Sequence, residues 1–77
     1  MSHDYLLYVL PGCPYCAKVL RFMESRGIEL PLRSTDEPGA REELIAAGGK
    51  FQAPCLMIDG VAMYESDDII AYLGAEF

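Results

Sequence analysis

The chain begins with a short apolar run followed by a longer amphipathic segment, and this pattern predicts a strand and a helix. The run DYLLYVL at 4–10 is rich in aromatic and branched residues and ends at a Pro-Gly pair, which is typical of a buried strand. From Pro14 to Arg26, apolar residues recur at helical spacing on one face, and Gly27 follows as a stop signal. Proline suits a first helical position because the N–H that it lacks would have no partner there.

Three further strands are predicted downstream. They are IELPLRS at 28–34, APCLMID at 53–59 and VAMY at 61–64. Pro31 inside the first of them is typical of a strand near the edge of a sheet, because proline has no N–H to donate to a neighbour. Gly60 separates the last two, so we expect them to pair as a hairpin.

Two further helices complete the pattern. One covers 36–47 and ends at paired glycines; the other covers 65–73, with Ser66 as its expected N-cap and Gly74 as its end. The order is β-α-β-α-β-β-α. The first three elements imply a right-handed parallel crossover, and the hairpin adds antiparallel strands. We therefore predict an α/β fold with a four-stranded mixed sheet flanked by three helices.

Size and charge restrict the functions that such a fold can have. A chain of 77 residues suits one domain, which we expect to cover 1–77. Its 12 acidic and 6 basic side chains give a formal net charge of −6, which argues against nucleic-acid binding, since that requires a basic surface. No apolar run approaches the roughly 20 residues of a membrane span, and the N-terminus lacks the pattern of a signal peptide. We expect a cytoplasmic protein that does not contact a membrane.

Two cysteines stand three positions apart in LPGCPYCAKV, a spacing that suits a metal site, a structural disulfide or thiol exchange. A closed zinc site takes four ligands, and besides Cys13 and Cys16 the chain offers only Cys55 and His3, so we expect no metal. A disulfide across two intervening residues closes a small loop and constrains the unfolded chain little. Thiol exchange fits the position of the pair better than either, although two incidental cysteines would show the same spacing.

Cys13 falls at the start of the first predicted helix, where unpaired N–H groups and the helix dipole favour an anion. A free cysteine has a pKa of about 8.5, whereas values of about 3.5–7.5 occur at helix N-termini and in Cys-X-X-Cys motifs. The thiolate is the attacking species, so we predict that Cys13 is the nucleophile. Cys16, one turn later and deeper, would attack the mixed disulfide that forms on Cys13.

The CPYC motif between a strand and a helix resembles that of the dithiol glutaredoxins, which belong to the thioredoxin-fold superfamily, and the likeness runs from Asp4 to Leu73. The resemblance implies a thioredoxin-like fold and a glutathione-dependent thiol-disulfide oxidoreductase. Such an enzyme reduces protein disulfides and glutathione mixed disulfides through the dithiol, here Cys13 and Cys16. No bound cofactor is implied: glutathione would be the co-substrate. The partners would be disulfide-containing or glutathionylated proteins, and we expect a monomer.

The resemblance also implies where glutathione binds. The segment QAPCLMIDG is similar to the strand of the superfamily that opens with a proline. Pro54 should therefore follow a cis peptide bond, with the backbone of Ala53 turned toward the bound thiol. Tyr15 should cover the sulfur site and pack beside the ligand, unless it is simply an exposed aromatic side chain in a turn.

The start of the last helix, YESDDIIAYL, is closer to the N-terminal domain of glutathione transferases and of transferase-like glutaredoxins. There Glu65, Ser66 and Asp67 would bind the γ-glutamyl end of glutathione, which carries a carboxylate and an ammonium on one carbon. Ser66 and the helix N-terminus would take the carboxylate, and Asp67 or alternatively Asp68 the ammonium. Helix capping by Ser66 and matching of the helix dipole by the acids would explain the same residues without a ligand.

Two features depart from the glutaredoxin pattern. Many glutaredoxins have a lysine two or three residues before the first cysteine, which helps to bind the glycine carboxylate, but this chain has Leu-Pro-Gly there. Lys50 is a candidate replacement, or else an ordinary surface lysine. Cys55 is either a small buried strand residue or a third reactive thiol.

Two other functions stay open. A glutaredoxin-like electron donor that is recharged by a thioredoxin-type reductase would fit the missing lysine. A binding module that holds a [2Fe-2S] cluster between two copies of the chain is disfavoured in this family by a proline next to the nucleophile, here Pro14. A transferase is also less expected, because no second helical domain follows Phe77.

Overall fold

The structure, a computed structural model, describes residues 3–77, so the first two residues of the predicted domain lie outside it. Its elements are β1 (Tyr5–Val9), α1 (Pro14–Arg26), β2 (Leu32–Ser34), α2 (Ala40–Gly48), β3 (Cys55–Ile58), β4 (Val61–Met63) and α3 (Ser66–Glu76). The order of strands and helices is the predicted one. The fold class is confirmed: the strands form one four-stranded mixed sheet, accompanied by three helices.

The sheet has the strand order β2-β1-β3-β4. β1 and β2 are parallel and joined through α1, whereas β3 is antiparallel to both β1 and β4. β2 is an edge strand, as predicted from Pro31, which accepts a hydrogen bond from the Leu7 N–H at 3.0 Å through its carbonyl. β2 is shorter than predicted, since residues 28–31 lie outside it.

The core has two parts, one on each face of the sheet. Because successive side chains of a strand point to opposite faces, neighbouring residues of β1 enter different parts. The larger part fills the space between the sheet and the helices α1 and α3, and comprises Leu7, Val19, Met23, Ile28, Leu56, Ile69 and Leu73. The smaller part lies toward α2 and comprises Tyr8, Leu44, Cys55 and Met57. The central strands β1 and β3 are thus covered on both faces, which explains their nearly continuous apolar sequences.

The predicted start of the second helix at residue 36 was wrong, because residues 35–39 form a turn. The Glu37 N–H donates to the Ser34 carbonyl at 3.0 Å, and its carboxylate accepts a hydrogen bond from Arg33 at 2.6 Å. Gly39 then has a φ of 80°, a left-handed conformation outside the range of a right-handed helix, and α2 begins directly after it.

The predicted ends of the third helix were also wrong. Glu65 is the N-cap, with φ −77° and ψ 127°, and Ser66 is already the first helical residue. The helix continues through Gly74 to Glu76, because Gly74 packs against Phe22 of α1 and tertiary packing outweighs the weak helix propensity of glycine. Within residues 3–77, no helix has the length and apolar character needed to cross a bilayer.

Two helical glycines provide a matched test of packing. A Cβ on Gly48 would overlap the hydroxyl oxygen of Tyr64, whereas a Cβ on Gly74 would meet its nearest neighbour, Phe22, at 3.5 Å. Tyr64 has little freedom to move away, since its hydroxyl donates to the Lys50 carbonyl at 3.0 Å. We expect Gly48→Ala to lower the free energy of unfolding by about 1–3 kcal/mol through overpacking. Gly74→Ala should raise it by about 0.5–1 kcal/mol through helix propensity. Urea unfolding measures both, and equal stabilisation by the two substitutions would contradict the close contact at Tyr64.

Candidate active site

Cys13 lies between β1 and α1 and is the N-cap of the helix, with φ −83° and ψ 118°. Its Sγ accepts a hydrogen bond from the Cys16 N–H at 3.4 Å. Burial of the thiol opposes ionisation, but hydrogen bonds from the Cys16 backbone, the Cys16 thiol and the Tyr15 backbone outweigh it and lower the pKa of Cys13. The side chain is only partly buried. The predicted nucleophile is therefore accessible and ionises more readily than a free cysteine.

Cys16 has the opposite environment. Its side chain is 2% exposed, and its Sγ accepts a hydrogen bond from the Leu10 N–H at 3.4 Å. Burial, together with the neighbouring Cys13 sulfur, raises the pKa of Cys16 to about 11. At neutral pH Cys16 is thus a neutral thiol that can donate its S–H to the Cys13 thiolate. It lies one helical turn below Cys13, as expected for a resolving cysteine.

The proline before β3 lies beside the nucleophile. The Ala53–Pro54 peptide bond is cis, as the resemblance implied. The Cys13 Sγ is 3.9 Å from the carbonyl oxygen of Ala53, so the backbone of this loop faces the sulfur. Pro54 itself is buried and Ala53 is partly exposed. A substrate sulfur bonded to Cys13 would therefore lie next to the Ala53 backbone.

A groove of about 220 Å³ lies beside the Ala53–Pro54 loop. It is bounded by α1, by this loop before β3 and by the start of α3. Its lining residues are Tyr15, Lys18, Gln52, Ala53, Pro54, Tyr64, Glu65, Ser66 and Asp67. All six residues that the resemblance assigned to glutathione binding border this one groove. Asp68, the alternative to Asp67, does not.

The N-terminus of α3 faces the groove without a side-chain cap. The N-cap Glu65 makes no capping hydrogen bond, and Ser66 is inside the first turn rather than capping it. Of the alternative that needs no ligand, capping by Ser66 is therefore not observed, whereas Asp67 and Asp68 do lie in the first turn, where they match the helix dipole. The N–H groups of the first turn and the positive end of the helix dipole favour an anion at this position.

Sequence reasoning missed three lining residues, Lys18, Gln52 and Tyr64. Lys18 lies on α1, and its Nζ is 2.6 Å from Oδ1 of Asp67 on α3. The available signal was that Lys18 stands three residues after Tyr15, a spacing that puts both side chains on one face of the helix. Lys50, the candidate for the missing lysine that was otherwise an ordinary surface residue, does not line the groove: its Nζ lies 4.6 Å from the centre of the Tyr64 ring.

Cys55 is fully buried on the opposite face of the sheet, where its Sγ lies 3.9 Å from the Met57 sulfur. Burial raises the pKa of Cys55 to about 11. Of the two alternatives for this residue, the structure thus shows the buried strand residue. In the part of the chain that the structure describes, no three His, Cys, Asp or Glu side chains cluster as they would around a metal ion.

Comparison with known sequences relates the chain to two groups of proteins. The family model for the N-terminal domain of glutathione S-transferase matches residues 7–77. A probable glutaredoxin of Synechocystis is 34% identical, over 90% of this chain and 81% of its own length. Glutaredoxin 3 of Escherichia coli K12 is 31% identical, over 84% of this chain and 80% of its own length.

Solved structures give the same two groups. Glutathione transferase Omega 3C from Trametes versicolor superposes with a TM-score of 0.81 at 23% identity, over 97% of this chain. The chain spans only 34% of that transferase. Oxidised glutaredoxin 2 from Chlamydomonas reinhardtii superposes with a TM-score of 0.69 at 18% identity, over 95% of this chain and 73% of its own. The fold is therefore the thioredoxin-like fold.

The lowered pKa of Cys13 predicts selective alkylation. We expect the rate at which iodoacetamide alkylates Cys13 to rise with pH and then reach a plateau. The midpoint of that rise should lie below the pKa of about 8.5 of a free cysteine. At pH 7 the buried, neutral thiols of Cys16 and Cys55 should react at least about tenfold more slowly. Mass spectrometry after a timed quench locates the label, and the protein in guanidinium, where all three thiols should react, is the control. A midpoint at or above that of a free cysteine would contradict this electrostatic account.

Removal of the Cys16 thiol distinguishes the effect of its S–H on Cys13 from the effect of the backbone N–H of the same residue. In Cys16→Ala the S–H donor is lost while the backbone N–H at residue 16 remains. We therefore expect the Cys13 alkylation midpoint to move up from that of the wild type, yet to stay below that of a free cysteine. Cys55→Ala is the matched control and should leave the midpoint unchanged. A midpoint that stays the same in Cys16→Ala would show that its thiol does not stabilise the Cys13 anion.

Proposed function

The chain belongs to the glutaredoxin family, a thioredoxin-fold family related to the N-terminal domain of glutathione S-transferases, and we propose that it is a glutathione-dependent thiol-disulfide oxidoreductase. Its relatives support thiol-disulfide exchange as the general activity. The observation that supports the specific reaction best is the Cys13 sulfur at the N-terminus of α1, which has a lowered pKa and adjoins the groove at Ala53. The substrates would be proteins that carry a disulfide or a bound glutathione.

The first step is attack of the Cys13 thiolate on the glutathione sulfur of a mixed disulfide. The substrate S–S bond breaks, a Cys13–glutathione disulfide forms, and the protein sulfur leaves as a thiolate that takes a proton from water. Selective attack on the glutathione sulfur requires that the tripeptide, rather than the protein, occupies the groove. The Ala53 backbone and the start of α3, which line the groove, would hold it there.

The second step regenerates the enzyme. A thiolate of free glutathione attacks the glutathione sulfur on Cys13, glutathione disulfide forms, and Cys13 leaves as a thiolate. The hydrogen bonds that lower its pKa also make it a better leaving group, because a thiol of lower pKa leaves faster. Over both steps, one mixed disulfide and one glutathione give one protein thiol and one glutathione disulfide.

A protein disulfide would follow a second route through Cys16. After Cys13 has attacked, Cys16 attacks the Cys13 sulfur, the second protein thiol leaves, and two molecules of glutathione then reduce the Cys13–Cys16 disulfide. Cys16 must first lose a proton, and its burial, the largest cause of its raised pKa, keeps this costly at neutral pH even after Cys13 has entered a disulfide. We therefore propose that the route through Cys13 and free glutathione carries most of the turnover with mixed disulfides. The protein would need no resident cofactor and would act as a monomer in the cytoplasm.

Turnover of a glutathionylated peptide with glutathione, glutathione reductase and NADPH tests the proposal. We expect Cys13→Ser to lose activity by roughly a thousandfold or more, since the nucleophile is removed. Cys16→Ser should keep at least about a tenth of the activity, because free glutathione can resolve the intermediate. Cys55→Ala is the matched control and should turn over like the wild type.

Two outcomes would contradict the proposal. Equal activity of the Cys13 and Cys16 variants would exclude Cys13 as the nucleophile. Turnover with thioredoxin reductase in place of glutathione and its reductase would instead identify an electron donor that is recharged by that enzyme.

A further inference from the structure

An exposed ion pair joins the two helices at the groove. Lys18 on α1 and Asp67 on α3 are 2.6 Å apart, and both line the groove. We infer that this pair is the receptor for the zwitterionic end of the substrate, with Lys18 binding the α-carboxylate while Asp67 binds the α-ammonium. The inference rests on the proposed function and adds Lys18 as a specificity-determining residue.

The geometry of the pair matches that of an amino-acid head group. An α-carbon carries its ammonium and its carboxylate side by side, at a separation comparable with the distance between Lys18 Nζ and Asp67 Oδ1. When the head group lies antiparallel to the pair, four charges alternate in sign and each has two neighbours of opposite charge. The side chains of Lys18 and Asp67 are 41% and 86% exposed, so a ligand in the groove can reach both charges.

The pair favours a zwitterion over a single charge. A ligand with only a carboxylate would draw Lys18 away and leave Asp67 without its partner. A ligand with only an ammonium would draw Asp67 away and leave Lys18 without its partner. A zwitterion replaces both interactions at once. An exposed ion pair is weak, so its opening opposes binding little. The uncapped N-terminus of α3 adds attraction for the carboxylate on the side of Ser66.

Lys18 is the one cation available for this role among the described residues that line the groove. Its Nζ also lies 5.9 Å from the centre of the Tyr15 ring, so it adjoins two residues that line the groove, Tyr15 and Asp67. Lys50 is nearby but stacks on Tyr64 instead. This difference makes Lys50 a matched control: it is a lysine of the same charge, close to the groove but outside its lining.

Calorimetric titration with S-methylglutathione, which has the γ-glutamyl end but no reactive thiol, tests the inference directly. We expect Lys18→Met to raise Kd about fivefold, the upper end of what one partly exposed charge pair contributes. Lys18→Arg should stay within about threefold of the wild type because it keeps the charge. Lys50→Met should bind as the wild type does. Unchanged or tighter binding by Lys18→Met would overturn the inference, and tighter binding would show that Lys18 competes with the ligand for Asp67.

A truncated ligand and turnover kinetics distinguish this role from a structural one. S-methylcysteinylglycine lacks the γ-glutamyl end, so the wild type and Lys18→Met should bind it equally. With the glutathionylated peptide, Lys18→Met should raise KM and leave kcat within about twofold, because the lost contact is equal in the ground state and the transition state. A lower kcat with unchanged KM would overturn the inference. If the wild type does not bind S-methylglutathione at all, the proposed function fails as well; if it binds and Lys18→Met binds equally, only the role of Lys18 fails.

Discussion

The hydrogen bond from the Cys16 N–H to the Cys13 sulfur is the interaction on which the site depends. It makes the nucleophile the N-cap of α1, a position that serine, threonine or aspartate usually occupies. Pro14 at the first helical position removes one unpaired donor, so the remaining N–H groups converge on a single acceptor. A thiolate satisfies those donors better than a thiol does. The helix start and the reactivity of Cys13 are therefore one physical property, and any change that loosens the first turn of α1 weakens both.

The sheet explains why residues 40 positions apart in the chain meet at this sulfur. β1 and β3 are antiparallel neighbours, with Tyr8 opposite Cys55, so the end of β1 and the start of β3 lie side by side. Cys13 follows the first of these ends and Pro54 precedes the second. Both strands are covered on both faces, which fixes them firmly. The contact between α1 and α3 on one face then sets Lys18 opposite Asp67, so the groove is formed by the same packing that forms the core.

What could be predicted from the sequence depended on whether the signal was local. The bounds of α1, Pro14 and Arg26, were correct because proline at its start and Gly27 after its end each fix the backbone. The start of α2 was missed because Glu37 is held in a turn by Arg33, a contact that composition does not reveal. The cysteines and the cis proline were found from motifs. Lys18 was missed, and Lys50, one candidate for the missing lysine, lies outside the groove lining. Only the packing of α1 on α3 shows which lysine reaches the groove.

The three cysteines show how the fold gives one side chain three chemical characters. Burial raises the pKa of both Cys16 and Cys55 to about 11, but Cys16 lies one turn from the nucleophile and can donate a proton toward it, whereas Cys55 is covered on the far face of the sheet. Cys13, partly exposed at a helix start, has a lowered pKa. A lower pKa increases the thiolate fraction but reduces the reactivity of each thiolate, so the gain in attack is limited. When Cys13 is the leaving group, by contrast, a lower pKa only makes it leave faster. The hydrogen bonds at the start of α1 should therefore matter most when glutathione displaces Cys13 from its mixed disulfide.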